Sequence, residues 1–370
     1  MSHKLNVKAR MAAREGRWTP FLMVAVAIFW LGWAGEIRAW NARGHETVGL
    51  IADRLIAGSA PAAQVDAILG TDLRTASVWA DCVKGVSRQD GEFHYTISER
   101  YRECRPFEDA AGQARMVDYV RRNWDACQRT AGEEPCHKQY HYTDVATLRD
   151  RYARGEVGTS DHDIVAALGA AIALLQGRPV PIPFSIRDKK EALLMLAHFV
   201  GDLHQPLHVG AIYLDATGRL VDPAQGPFDP DTGNRGGNQL LDGERLLHTE
   251  WDDIPTGALD AKKMPPTAGV PSDWPAMWAS DTLQVSRAAS QGVVFGAENP
   301  LHHTWPAILP IGYAERREVL QRRQLVTAGA RLAELLQALT FDLPQQRFGD
   351  IDHHLERHLS VSLALRVDSQ

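Results

Sequence analysis

The stretch HFVGDLHQPLH, which begins at His198, contains three histidines and one aspartate within eleven residues. His198 and Asp202 stand four apart, so on a helix both side chains point to the same face. An imidazole and a carboxylate at that spacing can bind one zinc ion. Pro206 ends the helix, and His208 follows this break, where it can serve a neighbouring ion. His204 lies well round the helix from His198 and is given no ligand role.

Histidine and aspartate also recur in four other segments of the chain. These are WNARGHETV with His45, SVWADCVK with Asp81, QYHYTDVA with His141 and Asp144, and LLHTEWDD with His248 and Asp252. Isolated His–Asp pairs are common on solvated faces, but five such segments in apolar or aromatic surroundings favour a metal site. Nitrogen and carboxylate ligands without a thiolate suit zinc at a hydrolytic site. Several ions together can clamp the attacking and leaving oxygens of phosphoryl transfer.

The first 39 residues have the pattern of a secretory signal peptide. Basic residues precede the apolar run FLMVAVAIFWLGWAG, and Ala39 supplies the small residue at a cleavage site. The run is short for a transmembrane helix, which needs about 20 residues; an uncleaved N-terminal anchor is the alternative. Cleavage after Ala39 would leave Trp40 as the first residue of an exported chain, periplasmic or secreted, with no stable membrane association.

Cysteine usage agrees with export. The cysteines are Cys82, Cys104, Cys127 and Cys136. An even number in an exported chain favours two disulfides over a zinc knuckle, whose paired C-x-x-C spacing is absent. Pairing Cys82 with Cys104 and Cys127 with Cys136 gives the shortest loops, and the other two pairings stay open at this point.

The charge balance excludes a simple basic surface for nucleic acid. The chain has 40 lysines and arginines against 46 aspartates and glutamates, and residues 1–39 hold six of the basic and two of the acidic residues. After cleavage, 34 basic and 44 acidic residues would remain, which gives a net charge of −10. A protein that binds nucleic acid through basic patches normally has a net positive charge. An enzyme acting on phosphodiesters would need another source of positive charge, which metal ions can supply.

The elements that must position these residues are mostly helical. Apolar residues recur at helical spacing in HETVGLIADRLIAG, SDHDIVAALGAAIALLQG, RDKKEALLMLAHFVGDLH and RREVLQRRQLVTAGARLAELLQAL. No stretch alternates convincingly as a strand, and GRLVDPAQGPFDPDTGNRGGNQL is typical of a surface loop. We therefore predict a mainly α protein with a single helical domain over residues 40–343 and a polar C-terminal tail at 344–370.

The order of the candidate ligands resembles that of the S1/P1 nuclease family, secreted zinc-dependent single-strand nucleases. HFVGDLHQPLH, RGGN, SDWPAMWASDTLQ and QLVTAGARLAELL are all similar to segments of that family. The resemblance implies a helical fold, shared with zinc-dependent phospholipases C, and three zinc ions in a cleft. The implied ligands are Asp81, His141, His198 and Asp202 for one ion; the bridging Asp202, His45 and the amino and carbonyl groups of Trp40 for a second; and His208, His248 and Asp252 for the third.

The resemblance also implies substrates and a mechanism. Single-stranded DNA and RNA would be cut endonucleolytically to leave 5′-phosphates, and 3′-nucleotides would lose their phosphate; no protein partner is implied. Hydroxide held between two zinc ions would attack phosphorus, oriented by Asp81, and the third ion would stabilise the leaving 3′-oxygen. Lys84 would contact phosphate, with an ordinary surface lysine as the equal alternative. Tyr142 would stack on an unpaired base and Asp144 would read its edge. Asn238, in RGGN, would shape its loop or support a ligand.

His94, in EFHYTIS, is a rival to His141 because a tyrosine follows it too. His141 is preferred because Asp144 completes the H-x-x-D pattern of the family. Residues 85–137, with most of the cysteines, would then form an insertion beside the mouth of the active site.

The candidate ligands are also compatible with two other functions. A zinc-dependent phospholipase C is disfavoured because its last ligand pair is typically His-x-x-x-Glu, whereas this chain has His248 and Asp252, and because a lipid site has no need of Asp144. A non-catalytic periplasmic zinc-binding protein is the second alternative, disfavoured by the complete ligand set.

Overall fold

Helices dominate the regular structure of this protein, a computed structural model that describes residues 40–129, 133–257 and 259–339. The α-helices in these ranges are α1 (Ala42–Ile56), α2 (Ala60–Leu69), α3 (Leu73–Ala76), α4 (Trp79–Cys82), α5 (Ala110–Arg122), α6 (Cys136–Gln139), α7 (Ile164–Leu175), α8 (Lys189–Leu203), α9 (Leu247–Asp252), α10 (Trp274–Ser290) and α11 (Tyr313–Ala338). Short 3-10 helices cover Val83–Gly85, Arg102–Phe107, Pro206–His208 and Pro230–Thr232. The mainly α fold expected from the sequence is confirmed.

The two ends of the chain lie outside the described residues. The signal peptide predicted for residues 1–39 and the tail predicted for 344–370 both fall there. Among the described residues, no helix has the length and apolar character needed to cross a membrane. The described residues belong to one compact unit, and the proposed domain boundaries stay predictions.

The strands are too short to show an alternating pattern in sequence. They are β1 (Val86–Gln89), β2 (Glu92–Tyr95), β3 (Val145–Ala146), β4 (Gly210–Ala211), β5 (Leu240–Asp242), β6 (Arg245–Leu246), β7 (Val294–Phe295) and β8 (Trp305–Ile308). β1 and β2 form an antiparallel hairpin, and β3 pairs parallel with β4. The other four form a sheet in the order β6-β5-β8-β7, in which β5 and β8 are parallel.

Helix α8 lies at the centre of the core. The Asp188 side chain caps its first turn by accepting from the Glu191 backbone N–H at 2.9 Å, and every residue from Glu191 to Leu203 is buried. Helices α1, α7 and α11 pack around it. A helix buried on all sides carries its polar groups into the protein interior. His198 and Asp202 are therefore core residues, which contradicts a solvated polar face.

Helix α1 brings His45 towards α8 and packs closely against α11. A Cβ added at Gly329 of α11 would lie 2.5 Å from Ile51 Cβ, so only glycine permits this approach. Asn41 caps the start of α1, since its side chain accepts from the Gly44 backbone N–H at 3.1 Å. The packing fixes the face of α1 that carries His45 against the core.

Two disulfides join Cys82 to Cys104 and Cys127 to Cys136. This is the pairing with the shortest loops, and it is confirmed. The bridges tie the β1–β2 hairpin, a 3-10 helix and α5 to the rest of the chain. Whether residues 85–137 are an insertion relative to other family members stays a prediction.

Candidate metal centre

Three groups of histidines and carboxylates converge in the core. The first group is Asp81 with His141 and His198, the second is His45 with His198 and Asp202, and the third is His208 with His248 and Asp252. The ligand atoms of each group lie within 4.8 Å of one another. They come from five elements: α1, α4, the turn after α6, α8 with the 3-10 helix that follows it, and α9. Every side chain expected to bind metal lies in one of these groups. Trp40 is outside them, because it is expected to bind through main-chain atoms.

Asp202 lies between the first two groups and presents one oxygen to each. Its Oδ1 is 3.2 Å from His45 Nε2. Its Oδ2 is 2.9 Å from His141 Nδ1 and 3.1 Å from His198 Nε2. All four side chains are fully or almost fully buried. This geometry suits a carboxylate that faces two cations.

The orientation of His198 is set by the backbone carbonyl of Ser77. His198 Nδ1 lies 2.6 Å from that oxygen, and because a carbonyl only accepts, Nδ1 must carry the proton. The Nε2 atom then faces Asp202 and Asp81, whose Oδ1 is 3.8 Å away. Hydrogen bonds of this kind fix the tautomer of metal-binding histidines.

The third group shows the same arrangement twice. His208 Nδ1 donates to the His141 carbonyl at 2.8 Å, and His248 Nδ1 donates to the Gly236 carbonyl at 2.6 Å. Their Nε2 atoms lie 3.3 Å apart, and Asp252 Oδ2 is 3.3 Å from His248 Nε2. Two lone pairs and a carboxylate that converge in this way repel one another, and a shared cation relieves that repulsion.

His45 supplies a second sign that the groups fit a metal. Its ring stacks on His198 with centroids 3.8 Å apart. Among the residues that the structure describes, neither of its nitrogens has a hydrogen-bond partner, and Asp202 Oδ1 has none either. His45 Nε2 and Asp202 Oδ1 are 3.2 Å apart, which is close enough for an ion pair but without the direction of a hydrogen bond. Orphaned buried polar atoms are costly. A zinc ion shared by these nitrogen and oxygen donors would satisfy them, so the residues present fit the metal.

Burial keeps three of the histidines in the neutral form that binds metal. It lowers the pKa of His45, and it lowers the pKa values of His141 and His208 to about 3. At His198 burial also disfavours the charged form, but the neighbouring carboxylates of Asp202 and Asp81 raise its pKa. Burial alone would raise the pKa of Asp202, but His198 and His45 beside it hold that pKa well below its usual range. Neutral imidazoles around an ionised carboxylate are the protonation states that zinc requires.

Gln205 fixes the carboxylate of the third group. Its Nε2 donates to Asp252 Oδ1 at 2.8 Å, while its Oε1 accepts from the Leu207 backbone N–H at 2.6 Å. Burial raises the pKa of Asp252 well above its usual range, so the ionised form needs a nearby cation. Sequence reasoning missed Gln205, although it stands inside the dense HFVGDLHQPLH block.

The start of the described chain contacts the backbone next to Asp202 and the backbone of Asp252. Trp40 is buried, and its indole Nε1 donates to the Gly201 carbonyl on α8 at 3.0 Å. The Asn41 backbone N–H donates to the Asp252 carbonyl at 3.2 Å. Metal binding by the Trp40 amino group depends on cleavage before it and stays a prediction.

Comparison with known proteins identifies the fold around this centre. The family model described as S1/P1 Nuclease matches residues 118–340. The chain belongs to the S1/P1 nuclease family. Endonuclease 1 of Arabidopsis thaliana is 26% identical over 207 residues, which are 54% of this chain and 53% of that protein. The aligned part thus spans about half the length of this curated relative. Trp40, His45 and Asp81 precede the residues matched by the family model, and the structure places them beside those that follow.

Lys84 is buried, so the alternative interpretation of it as an ordinary surface lysine is wrong. Its Nζ lies 2.7 Å from Asp81 Oδ1, and the lysine is 7% exposed. Burial opposes the ionisation of Asp81, but Lys84 and His198 hold the pKa of this carboxyl below its usual range. This ion pair places the ammonium group directly beside the first metal group, where the S1/P1 family resemblance expects a phosphate contact.

Tyr142 and Asp144 follow His141 and are partly exposed. The Asp144 backbone is held from both sides: its N–H donates to the Gly158 carbonyl, and its carbonyl accepts from the Tyr213 hydroxyl, each at 2.8 Å. Within the described residues, its carboxylate forms no hydrogen bond or ion pair. Burial, followed by the charge of Asp163, raises the pKa of Asp144 to about 6. A fixed, unpaired carboxyl is available to a ligand.

The RGGN loop is shaped by two asparagines. Asn238 Nδ2 donates to the Arg235 carbonyl at 2.9 Å, which agrees with the loop-shaping role expected for it; a contact with substrate stays a prediction. Asn234 is the buried one, and it donates to the Ile212 carbonyl and accepts from the Gly237 N–H. Sequence reasoning missed Asn234, because no pattern separates it from other loop asparagines.

The histidines outside the centre have other surroundings. His94 is exposed on β2, away from the three groups, so the structure brings His141 and not His94 to the first group. His204 is buried, with Nδ1 2.7 Å from the Val200 carbonyl and Nε2 accepting from Arg331 at 3.0 Å. It takes part in none of the groups, as expected.

Proposed function

We propose that this protein is a zinc-dependent endonuclease that hydrolyses single-stranded DNA and RNA to leave 5′-phosphates, and that it also dephosphorylates 3′-nucleotides. Membership of the S1/P1 nuclease family supports a nuclease. The observation that carries the zinc dependence is the convergence of unprotonated His208 Nε2 and His248 Nε2 on Asp252, beside the two-sided Asp202.

The proposed ligands are Asp81, His141, His198 and Asp202 for one ion; Asp202, His45 and the main-chain nitrogen and oxygen of Trp40 for a second; and His208, His248 and Asp252 for the third. Zinc at such a centre supplies Lewis acidity, which activates water and stabilises negative charge on phosphate oxygens. Asp81 would orient the attacking water through the oxygen that also meets Lys84. Lys84 would place its positive charge against the phosphate, offsetting the acidic balance of the chain.

The preference for single strands is proposed to come from Tyr142 and Asp144. A tyrosine ring can stack only on a base that has left the duplex. Asp144, with its backbone held on both sides and its carboxyl unpaired, can meet the hydrogen-bond donors on the edge of that base. Recognition of a lipid headgroup would have no use for this pair.

Turnover by protein that begins at Trp40 tests the function. The protein is chelated, assayed, restored with zinc and assayed again on denatured DNA, duplex DNA, RNA, a 3′-mononucleotide and phosphatidylcholine. The proposal predicts zinc-restored cleavage of the single strands and little cleavage of duplex. Turnover of phosphatidylcholine alone would replace it with a phospholipase, and zinc binding without any turnover would replace it with a binding protein.

Export is part of the proposal, since cleavage after Ala39 would free the amino group of Trp40. The full chain from Met1, purified with its first 39 residues intact, is then expected to bind less zinc and to turn over more slowly than the shorter protein. Equal zinc content and activity in the two forms would remove the role of the Trp40 amine.

A further inference from the structure

Arg235 adopts a backbone conformation that is costly for its residue type. Its φ is +52°, in the left-handed region that favours glycine. Its carbonyl accepts from both the backbone N–H of Asn238 at 3.1 Å and Asn238 Nδ2 at 2.9 Å, while Asn234 Oδ1 accepts from the Gly237 N–H at 2.8 Å. Strained residues of this kind persist where the surrounding structure over-determines them, and they cluster at functional sites.

The loop that holds Arg235 is joined directly to the third metal group. The next residue, Gly236, gives its carbonyl to His248 Nδ1 at 2.6 Å. A Cβ at Gly236 would lie 2.6 Å from the Leu207 carbonyl, so the loop packs against the turn that carries His208. Arg235 is therefore the neighbour of a residue that contacts the candidate metal ligand His248.

The guanidinium of Arg235 is exposed to solvent. No carboxylate in the described parts of the chain forms an ion pair with it, including Asp229 and Asp231 of the same loop. Lys84, by contrast, has its charge engaged by Asp81. The turn against which the Arg235 loop packs also contacts the proposed base pocket, since His208 Nδ1 donates to the carbonyl of His141, the residue before Tyr142, at 2.8 Å.

We propose that Arg235 binds a phosphate of the polynucleotide strand, next to the nucleotide whose base lies at Tyr142. The inference rests on the proposed function, because it assumes a nucleic-acid substrate. A guanidinium can meet two phosphate oxygens at once. In an acidic chain, an unpaired cation on a loop whose backbone is fixed beside the third metal group would set the direction of the strand.

The salt dependence of binding isolates this contact. Zinc-loaded protein is titrated with a hydrolysis-resistant phosphorothioate oligothymidylate over a series of NaCl concentrations. Losing one phosphate contact to a single strand reduces the slope of log K against log salt by about 0.7. Arg235→Ala is expected to show that reduction and affinity weakened by about tenfold, with Arg235→Lys in between. Arg323→Ala is the matched control, because Arg323 is exposed on α11 and has no ion pair among the described residues.

Arg235→Gly separates binding from folding. Glycine adopts a positive φ without strain, so this variant should unfold at a temperature no lower than the wild type, yet bind as weakly as Arg235→Ala. Binding by both variants with the affinity and salt slope of Arg323→Ala would overturn the assignment while leaving the nuclease intact. Wild-type protein that neither binds nor cleaves single strands would instead overturn the proposed function itself.

Discussion

The tautomers of three histidines determine where a metal can bind. His198, His208 and His248 each donate Nδ1–H to a backbone carbonyl, so each turns its Nε2 atom, the one available to a metal, towards a carboxylate. Sequence spacing predicts that His198 and Asp202 face the same way, and likewise His248 and Asp252. It does not reveal the carbonyls that orient the rings, because those come from segments distant in the chain.

Gln205 is expected to control metal binding at the third group. Gln205→Glu would replace the N–H that meets Asp252 Oδ1 with an oxygen, so two carboxyl groups would oppose each other. We predict a loss of zinc affinity of about 10- to 100-fold at one site, as for other groups that orient metal ligands. Competition with a chromophoric chelator measures it. Gln284→Glu, on the exposed face of α10, is the control, and unchanged affinity in Gln205→Glu would refute the role.

Asp144 is expected to lower the stability of the folded protein while its carboxylate recognises a base. Its folded pKa of about 6 lies above the ordinary value of 3.8, so the fold favours the neutral carboxyl. The ionised group therefore destabilises the folded protein at pH values above 6, and this cost fades as the pH falls towards 4. Asp144→Asn should be more stable than wild type by about 1 to 3 kcal/mol at pH 7, with a smaller gap at pH 4 and weaker base selectivity.

Urea unfolding at several pH values measures the stability gap, and cleavage of homopolymers measures selectivity. Asp260→Asn, at an exposed position, controls for the loss of one negative charge. A gap that does not shrink on acidification would show that the carboxyl of Asp144 is not disfavoured by burial.

At the scale of elements, the disulfides flank the segments that carry the first metal group. Cys82 directly follows Asp81, and Cys136 begins α6, which leads to His141. Asp81 lies on a helix of only four residues, which has little stability of its own. The bridges therefore hold ligands that short helices could not hold alone.

Removing the bridge between Cys82 and Cys104 should weaken both fold and metal centre. A loop of this length is worth about 3 kcal/mol in the chain-entropy model. The double variant Cys82→Ala, Cys104→Ala should lose about that much in free energy of unfolding, and it should lose zinc from the Asp81 group before the His248 group. Denaturant titration and zinc analysis measure these effects. Loss of zinc from both groups together would show that the bridge has no local role.

The elements that sequence predicts well are the long, periodic ones. The patterns for α1, α7, α8 and α11 are confirmed, since each carries its own cap or apolar face. The strands were missed because each has two to four residues and pairs with a distant segment, such as β5 with β8. His45, Asp81 and His141 reach the centre only through tertiary packing, and the family resemblance supplied what periodicity could not.

At the scale of the whole molecule, the proposed metals and the acidic balance of the chain belong together. The histidines and carboxylates of the centre are buried, apart from the half-buried Asp81, and among the described residues polar atoms of His45 and Asp202 have no hydrogen-bond partner. Metal bound only by the folded state stabilises it by linkage. The same ions would give an acidic protein the positive charge that a phosphodiester requires.

Zinc content per chain, measured by elemental analysis on protein that begins at Trp40, tests the central claim most directly. We predict three zinc ions in the wild type, one in Asp202→Ala, which loses the carboxylate that faces His45 on one side and His141 on the other, and two in Asp252→Ala. His94→Ala, outside the groups, should keep all three. Wild-type protein without zinc, or Asp202→Ala with undiminished zinc, would contradict the account.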